Sequence, residues 1–274
     1  MRKEVVRETD FTVNDRPSTR RGQFFDILKH RFLEMIKLSL LQAVFNMPLI
    51  VSIVIFYVLI RNSQDLNQLM TVFLLQGLLL IPCVSISYIG LTGVYYCLKK
   101  IIYADGEYAS SSFFVGLKEE WKKGMVIGLI AGFSFAIAVI GFFFCYFYLS
   151  NVNSAIAGFG IAILSIQLIV VLIVSYYAIG QVVTYDNVMK NTLKNSLIFS
   201  LMRFPINLGL IIIHPGILIA LTCIMEITMF VSMGLLVVFV VIGHLMWMLN
   251  ATFTFDKYIN KEQNPEFYHH GLKE

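Results

Sequence analysis

The sequence predicts an all-α integral membrane protein with about six transmembrane helices and two cytoplasmic amphipathic interfacial helices. Three observations lead there. The 274 residues are 58% hydrophobic and 14% charged, with a mean hydropathy of +0.76. A soluble domain has roughly 45–50% apolar and about 25% charged residues, and a water-soluble fold of this size could not hide the excess. Apolar stretches recur at lengths matching the ~20 helical residues that cross a hydrocarbon core. Lysine and arginine, finally, are confined to alternate connections.

Taken in order, residues 1–37 form a polar, basic N-terminal segment. Its "TRRGQFF" (Thr19–Phe25) has a superficial twin-arginine look, but the apolar run that follows is too apolar and too distant for such a signal. The first span is too long for a signal-peptide core and has no small-residue cleavage site, so no cleavable signal is expected. Spans are expected at Leu38–Ile60, Met70–Leu98, Met125–Leu149, Ala155–Gly180, Phe204–Cys223 and Thr228–Asn250. Together they make a 38–250 membrane domain, followed by a 251–274 tail. None alternates polar and apolar residues as a barrel strand does, so helices must satisfy the backbone. The second stretch is overlong and contains Pro82, which predicts a kink or tilt.

The basic residues set the orientation. They cluster before the first span, in the second connection (Lys99 to Lys123), in the fourth (Lys190, Lys194, Arg203) and in the tail, leaving Arg61 alone on the opposite side. The positive-inside rule then places both termini of a multi-pass chain in the cytoplasm. The net charge of +4 follows from this distribution and is no nucleic-acid signal.

Two of the basic connections are amphipathic. Phe113, Phe114, Leu117 and Trp121 recur at helical spacing among Lys118, Glu119, Glu120, Lys122 and Lys123. Val188, Leu193, Leu197, Ile198 and Leu201 stand opposite Lys190, Asn191, Lys194 and Asn195. Each reads as a helix lying in the cytoplasmic interface, so span, amphipathic helix and span occur twice. Gly124, Gly128, Gly132 and Ala136 make a small-xxx-small ladder along the third span, where another helix of the same chain can approach closely.

Chemistry is sparse. Cys83, Cys97, Cys145 and Cys223 lie in or at the ends of apolar runs without CxxC spacing and read as packing residues. No Ser/His/Asp set, HExxH, P-loop or paired intramembrane aspartates occurs, so neither an enzyme nor a cofactor is expected. Gln42, Asn46, Gln76, Gln167 and Asn207 are polar groups able to bind helices together. His214, before Pro215-Gly216, is the candidate binding residue: the break could free carbonyls beside a solute path, or could be a plain proline kink. His244 is shallower by residue count, so a metal shared with His214 is not expected. Glu226 falls in a tight outer turn, and His269-His270 sit in a polar tail.

Four segments resemble the YesL-like family of bacterial membrane proteins, a domain of unknown function. They are "RGQFFDILKHRFLEMIKLSLLQAVFNMPLI" (Arg21–Ile50), "IPCVSISYIGLTGVYYCLKKIIYADGEY" (Ile81–Tyr108), "SFFVGLKEEWKKG" (Ser112–Gly124) and "TLKNSLIFSLMRFP" (Thr192–Pro205). The matching positions are Gly22, Phe24, Pro48, Tyr95, Tyr96, Glu107, Tyr108, Phe113, Phe114, Lys118 and Lys122. Glu120 and Lys123 stand where the family often has Asn and Gln, and extra apolar sequence separates the first two segments. The resemblance implies a bacterial inner-membrane protein of six or nearly six spans, with some relatives linked to carbohydrate utilisation. By that analogy the expected role is a non-enzymatic component assisting a solute-uptake permease or other membrane protein. The alternative is a transporter of a small solute or lipid in its own right.

Overall fold

A computed structural model describes residues 16–104, 109–216 and 226–273. Cys223, the Asp105-Gly106-Glu107 turn and residues 1–15 lie outside them. The described chain is helical throughout, without strands. Helix α1 spans Arg20–Asn62, α2 Leu66–Tyr103, α3 Ala109–Phe144, α4 Ser154–Thr184, α5 Met189–Met202, α6 Phe204–Ile211 and α7 Glu226–Phe255. Wide π-helical turns extend α3 (Cys145–Leu149), α6 (Ile212–Gly216) and α7 (Asp256–Asn260).

Four helices among the described residues are long and apolar enough to cross a membrane, or five if the bent pair α5–α6 counts as one span. At 1.5 Å per residue, α1 with 43 residues and α2 with 38 are about 65 and 57 Å long. A hydrocarbon core is only about 30 Å thick, so both must project beyond it. Short side chains start the helices. The Thr19 hydroxyl accepts from Gly22 N–H at 3.1 Å, Asp65 from Gln68 N–H at 2.7 Å, and Asn153 from Ala155 N–H at 3.0 Å.

The basic segment before residue 38 contributes to the first helix. From Arg20 onward it is already helical and joins the span through a kink at Arg31 (φ −126°, ψ 23°). The aromatic stripe at 113–121 is not a separate interfacial helix, because α3 runs unbroken from Ala109 to Phe144. Its charged residues are good helix formers, and nothing between them stops the helix. Phe113 is fully buried under α2, whereas Phe114 and Trp121 face outward. The repeated span–helix–span plan therefore fails at its first copy.

The second copy does contain a distinct helix. α5 is bent by 91° from α6, at Arg203 (φ −117°, ψ 27°) just before Pro205. Proline has no N–H for the α5 ladder and crowds the carbonyl four residues back. The amide of Asn207 replaces what is lost, donating to the carbonyl of Ser200 at 3.1 Å and of Phe199 at 3.5 Å. Its small polar residues turn inward, with Gln181 of α4 donating to Ser196 at 2.7 Å. Leu197, Leu201 and Met202 face outward.

The glycine ladder packs within the chain, against α2, in the most extensive interface of the bundle. A Cβ at Gly116 would lie 2.3 Å from Tyr96, at Gly124 2.4 Å from Thr92, at Gly128 2.7 Å from Ser85 Cα, and at Gly132 2.8 Å from Ile81 Cα. The contact positions descend along α2 as they climb α3, so the pair is antiparallel, with backbones too close for side chains. Gly128→Leu should therefore lower stability by about 1–3 kcal/mol through overpacking, read as an earlier thermal transition in detergent. Gly158→Leu, where an added Cβ meets nothing within 4 Å, should be near neutral. Equal effects of the two would refute the ladder.

Candidate functional site

Three polar assemblies among the described residues bear on a candidate site, and the third gathers several unpartnered polar atoms. At the bend, Asn250 of α7 donates to the Tyr177 hydroxyl and to the Asn207 carbonyl oxygen, each at 3.0 Å. The Tyr177 hydroxyl also donates to Asn207 at 3.1 Å, and Arg203 donates to the Thr254 hydroxyl at 2.9 Å. This network ties α4, α6 and α7 together and holds the angle of α5.

The second assembly joins the two ends of the chain. Buried Arg20 faces Asp256 at 2.8 Å and donates to Gln23 at 2.9 Å and to the His270 carbonyl at 3.0 Å. Gln23 donates to the Ile102 carbonyl at 2.6 Å, and Asn260 to Asp256 at 2.8 Å. The Tyr185 hydroxyl donates to Asn260. Burial, with Tyr103 and Asp256 nearby, pushes the Tyr185 phenol well above its usual range, against the opposing Asn260 hydrogen bond, so it stays a neutral donor. Gly271 (φ +81°) fits where a Cβ would come within 2.1 Å of the Ile102 carbonyl. No role was expected for the His269-His270 tail, yet the His270 carbonyl completes this clamp. Residues 256–260 belong to it too, although they follow the 250 boundary expected for the membrane domain.

The third assembly is the imidazole–aromatic cluster. His214, on the wide turn after α6, meets His244 of α7 with ring centroids 4.9 Å apart, edge to face. Tyr176 of α4 contacts His244 at 5.5 Å and Trp247 at 4.7 Å, and Tyr95 of α2 contacts His244 at 5.7 Å. This overturns the depth expected for His244. Counted from Asn250 it seemed close to the boundary, but α7 continues to Phe255, eleven residues beyond His244. His214 lies ten residues past Phe204, so at 1.5 Å per residue both imidazoles sit about 15–17 Å from their helix ends. Gly243 admits the contact: a Cβ there would lie 1.8 Å from the His214 ring.

Tyr95, Trp247, His244 and His214 are 0, 1, 6 and 8% exposed. Yet Tyr95 Oη, Trp247 Nε1 and both Nδ1 atoms have no hydrogen-bond partner among the described residues. Each such group costs about 1–3 kcal/mol when left dry. The set can donate and accept hydrogen bonds but carries no carboxylate. No group of three His, Cys, Asp or Glu suited to a metal ion occurs among the described residues. His214 was legible as a candidate; Tyr95, Tyr176, Gly243 and Trp247 were not, because their convergence is tertiary.

No family model, curated protein or solved structure matches the chain.

Tyr95→Phe deletes one unpartnered hydroxyl and should leave the thermal transition unchanged or raise it, by relief of about 1–3 kcal/mol. A fall of similar size would mean that a water or solute holds that hydroxyl.

Proposed function

We propose that the protein is a non-enzymatic bacterial inner-membrane component, six-spanning with both termini cytoplasmic, that assists or regulates a solute-uptake system. Kinship with the YesL-like family is part of this reading and makes carbohydrate the expected solute. The observation that carries it is α5, a helix turned 91° from the segment that follows it. It is held there by the Asn207 network, and Leu197, Leu201 and Met202 are 46, 60 and 52% exposed on its outer side. A rigidly angled helix with an uncovered apolar face suits contact with another membrane protein at the bilayer surface. Leu193 is half-buried against the core, so the docking face centres on Leu197 and Leu201.

A second reading is favoured by one observation. The unpartnered polar atoms of the His214–His244 cluster lie beside the wide turn of α6, the setting in which transporters place solute sites. Purified protein in liposomes and native-membrane extraction separate the two. Under the first reading the pure protein passes no solute, and His214→Gln leaves uptake by cells unchanged. Leu197→Asp/Leu201→Asp should then lose the copurifying partner by about tenfold or more, as expected for two buried leucines. Solute flux by the protein alone, abolished by His214→Gln, would replace this reading with the second.

A further inference from the structure

At the end that carries the clamp, α5 and the C-terminal extension of α7 border a cleft of about 780 Å³. Five carboxamides line it: Asn187, Asn191 and Asn195 on one wall, Gln263 and Asn264 on the other. Asn191 and Asn195 are four residues apart on α5 and so share a face. None of the five side chains hydrogen-bonds to protein among the described residues. The lining carries one acid and one base, Asp186 and Lys194, and Asp186 is already 3.4 Å from Lys123. Tyr258, stacked on Phe199 at 6.2 Å, and Phe267 add aromatic carbon.

The chemistry selects a class of ligand. Each carboxamide offers paired donors and acceptors without net charge, and so does a vicinal hydroxyl pair. A dianion would meet a single lining cation, Lys194, and a cation would compete with Lys123 for Asp186, whereas the aromatic carbon suits the C–H faces of a saturated ring. The volume falls within the range of small-molecule sites, about 300–1,000 Å³. We propose that this cleft binds a neutral polyhydroxylated solute of about one to two sugar rings. The inference rests on the cytoplasmic orientation and uptake role proposed above and deepens them. A site on the inner side meets solute that has already entered, and it shares α5 with the docking face at Leu197 and Leu201. Its occupant bridges α5 to the C-terminal extension and so fixes the helix that the partner would read.

The test is saturation-transfer NMR on the purified full chain in detergent, with maltose and sucrose as probes and triglycine and succinate as controls. The sugars should receive saturation and the controls little. Asn191→Leu/Asn195→Leu should cost about tenfold or more in affinity, equivalent to the loss of two hydrogen bonds. Gln263→Leu, an exposed position on the opposite wall, should weaken binding too, and guards against misfolding of the double variant. No saturation of either sugar, undiminished saturation in both variants, or a preference for triglycine would each overturn the proposal. Sugar binding without partner retention would leave this site standing and remove the docking reading. Partner retention without sugar binding would do the opposite.

Discussion

Hydrocarbon offers no hydrogen-bond partner, and every feature of this bundle follows from that constraint. Backbone groups are satisfied inside helices, and where a helix breaks, a side chain takes over. Asn207 donates to the Ser200 carbonyl at the α5–α6 bend, at 3.1 Å. Polar side chains at depth pair with one another: Gln42 donates to Asn46 and to the Ser87 carbonyl, each at 3.0 Å, joining α1 to α2. Packing supplies the rest, since lipid gives no hydrophobic reason for helices to associate. The closest approach, α2 against α3, is built on glycines.

Charge obeys the same logic at the ends. Arg20 and Asp256 are both buried, and a buried pair gains little net stability over apolar residues. What the pair supplies is registry. Residues 236 positions apart meet, and the start of α1, the end of α2 and the tail are locked into one surface. Removing one partner would strand the other, at a cost of about 3–5 kcal/mol. The His214–His244 cluster gathers more unpartnered buried polar atoms than any other group among the described residues, so it is where a guest would have most to offer.

The helical class and the approximate positions of the first four spans were legible because apolar length is a local property. The ladder at Gly124, Gly128 and Gly132 was legible because four-residue spacing fixes a helix face without knowledge of the partner. The continuity of α3 was not, since the stripe from Phe113 to Trp121 has the pattern of a separate interfacial helix and nothing local shows that it runs on into the span. The imidazole contact was hidden by an end effect. Thr252, Thr254 and Asp256 look like a tail, but they are buried and carry α7 onward. The Arg20–Asp256 clamp left no local signal, because nothing in sequence links its halves.

The central proposal is that the end of the bundle bearing Arg20 and the C-terminal tail faces the cytoplasm while the α1–α2 and α3–α4 turns lie outside. Single cysteines at Asn67, Asn153 and Asn191, all exposed, in a chain with the native cysteines replaced, test it directly. An impermeant thiol reagent added to intact cells should label positions 67 and 153, and should reach 191 only after the membrane is opened. Labelling of 191 in sealed cells, with 67 and 153 protected, would contradict the account.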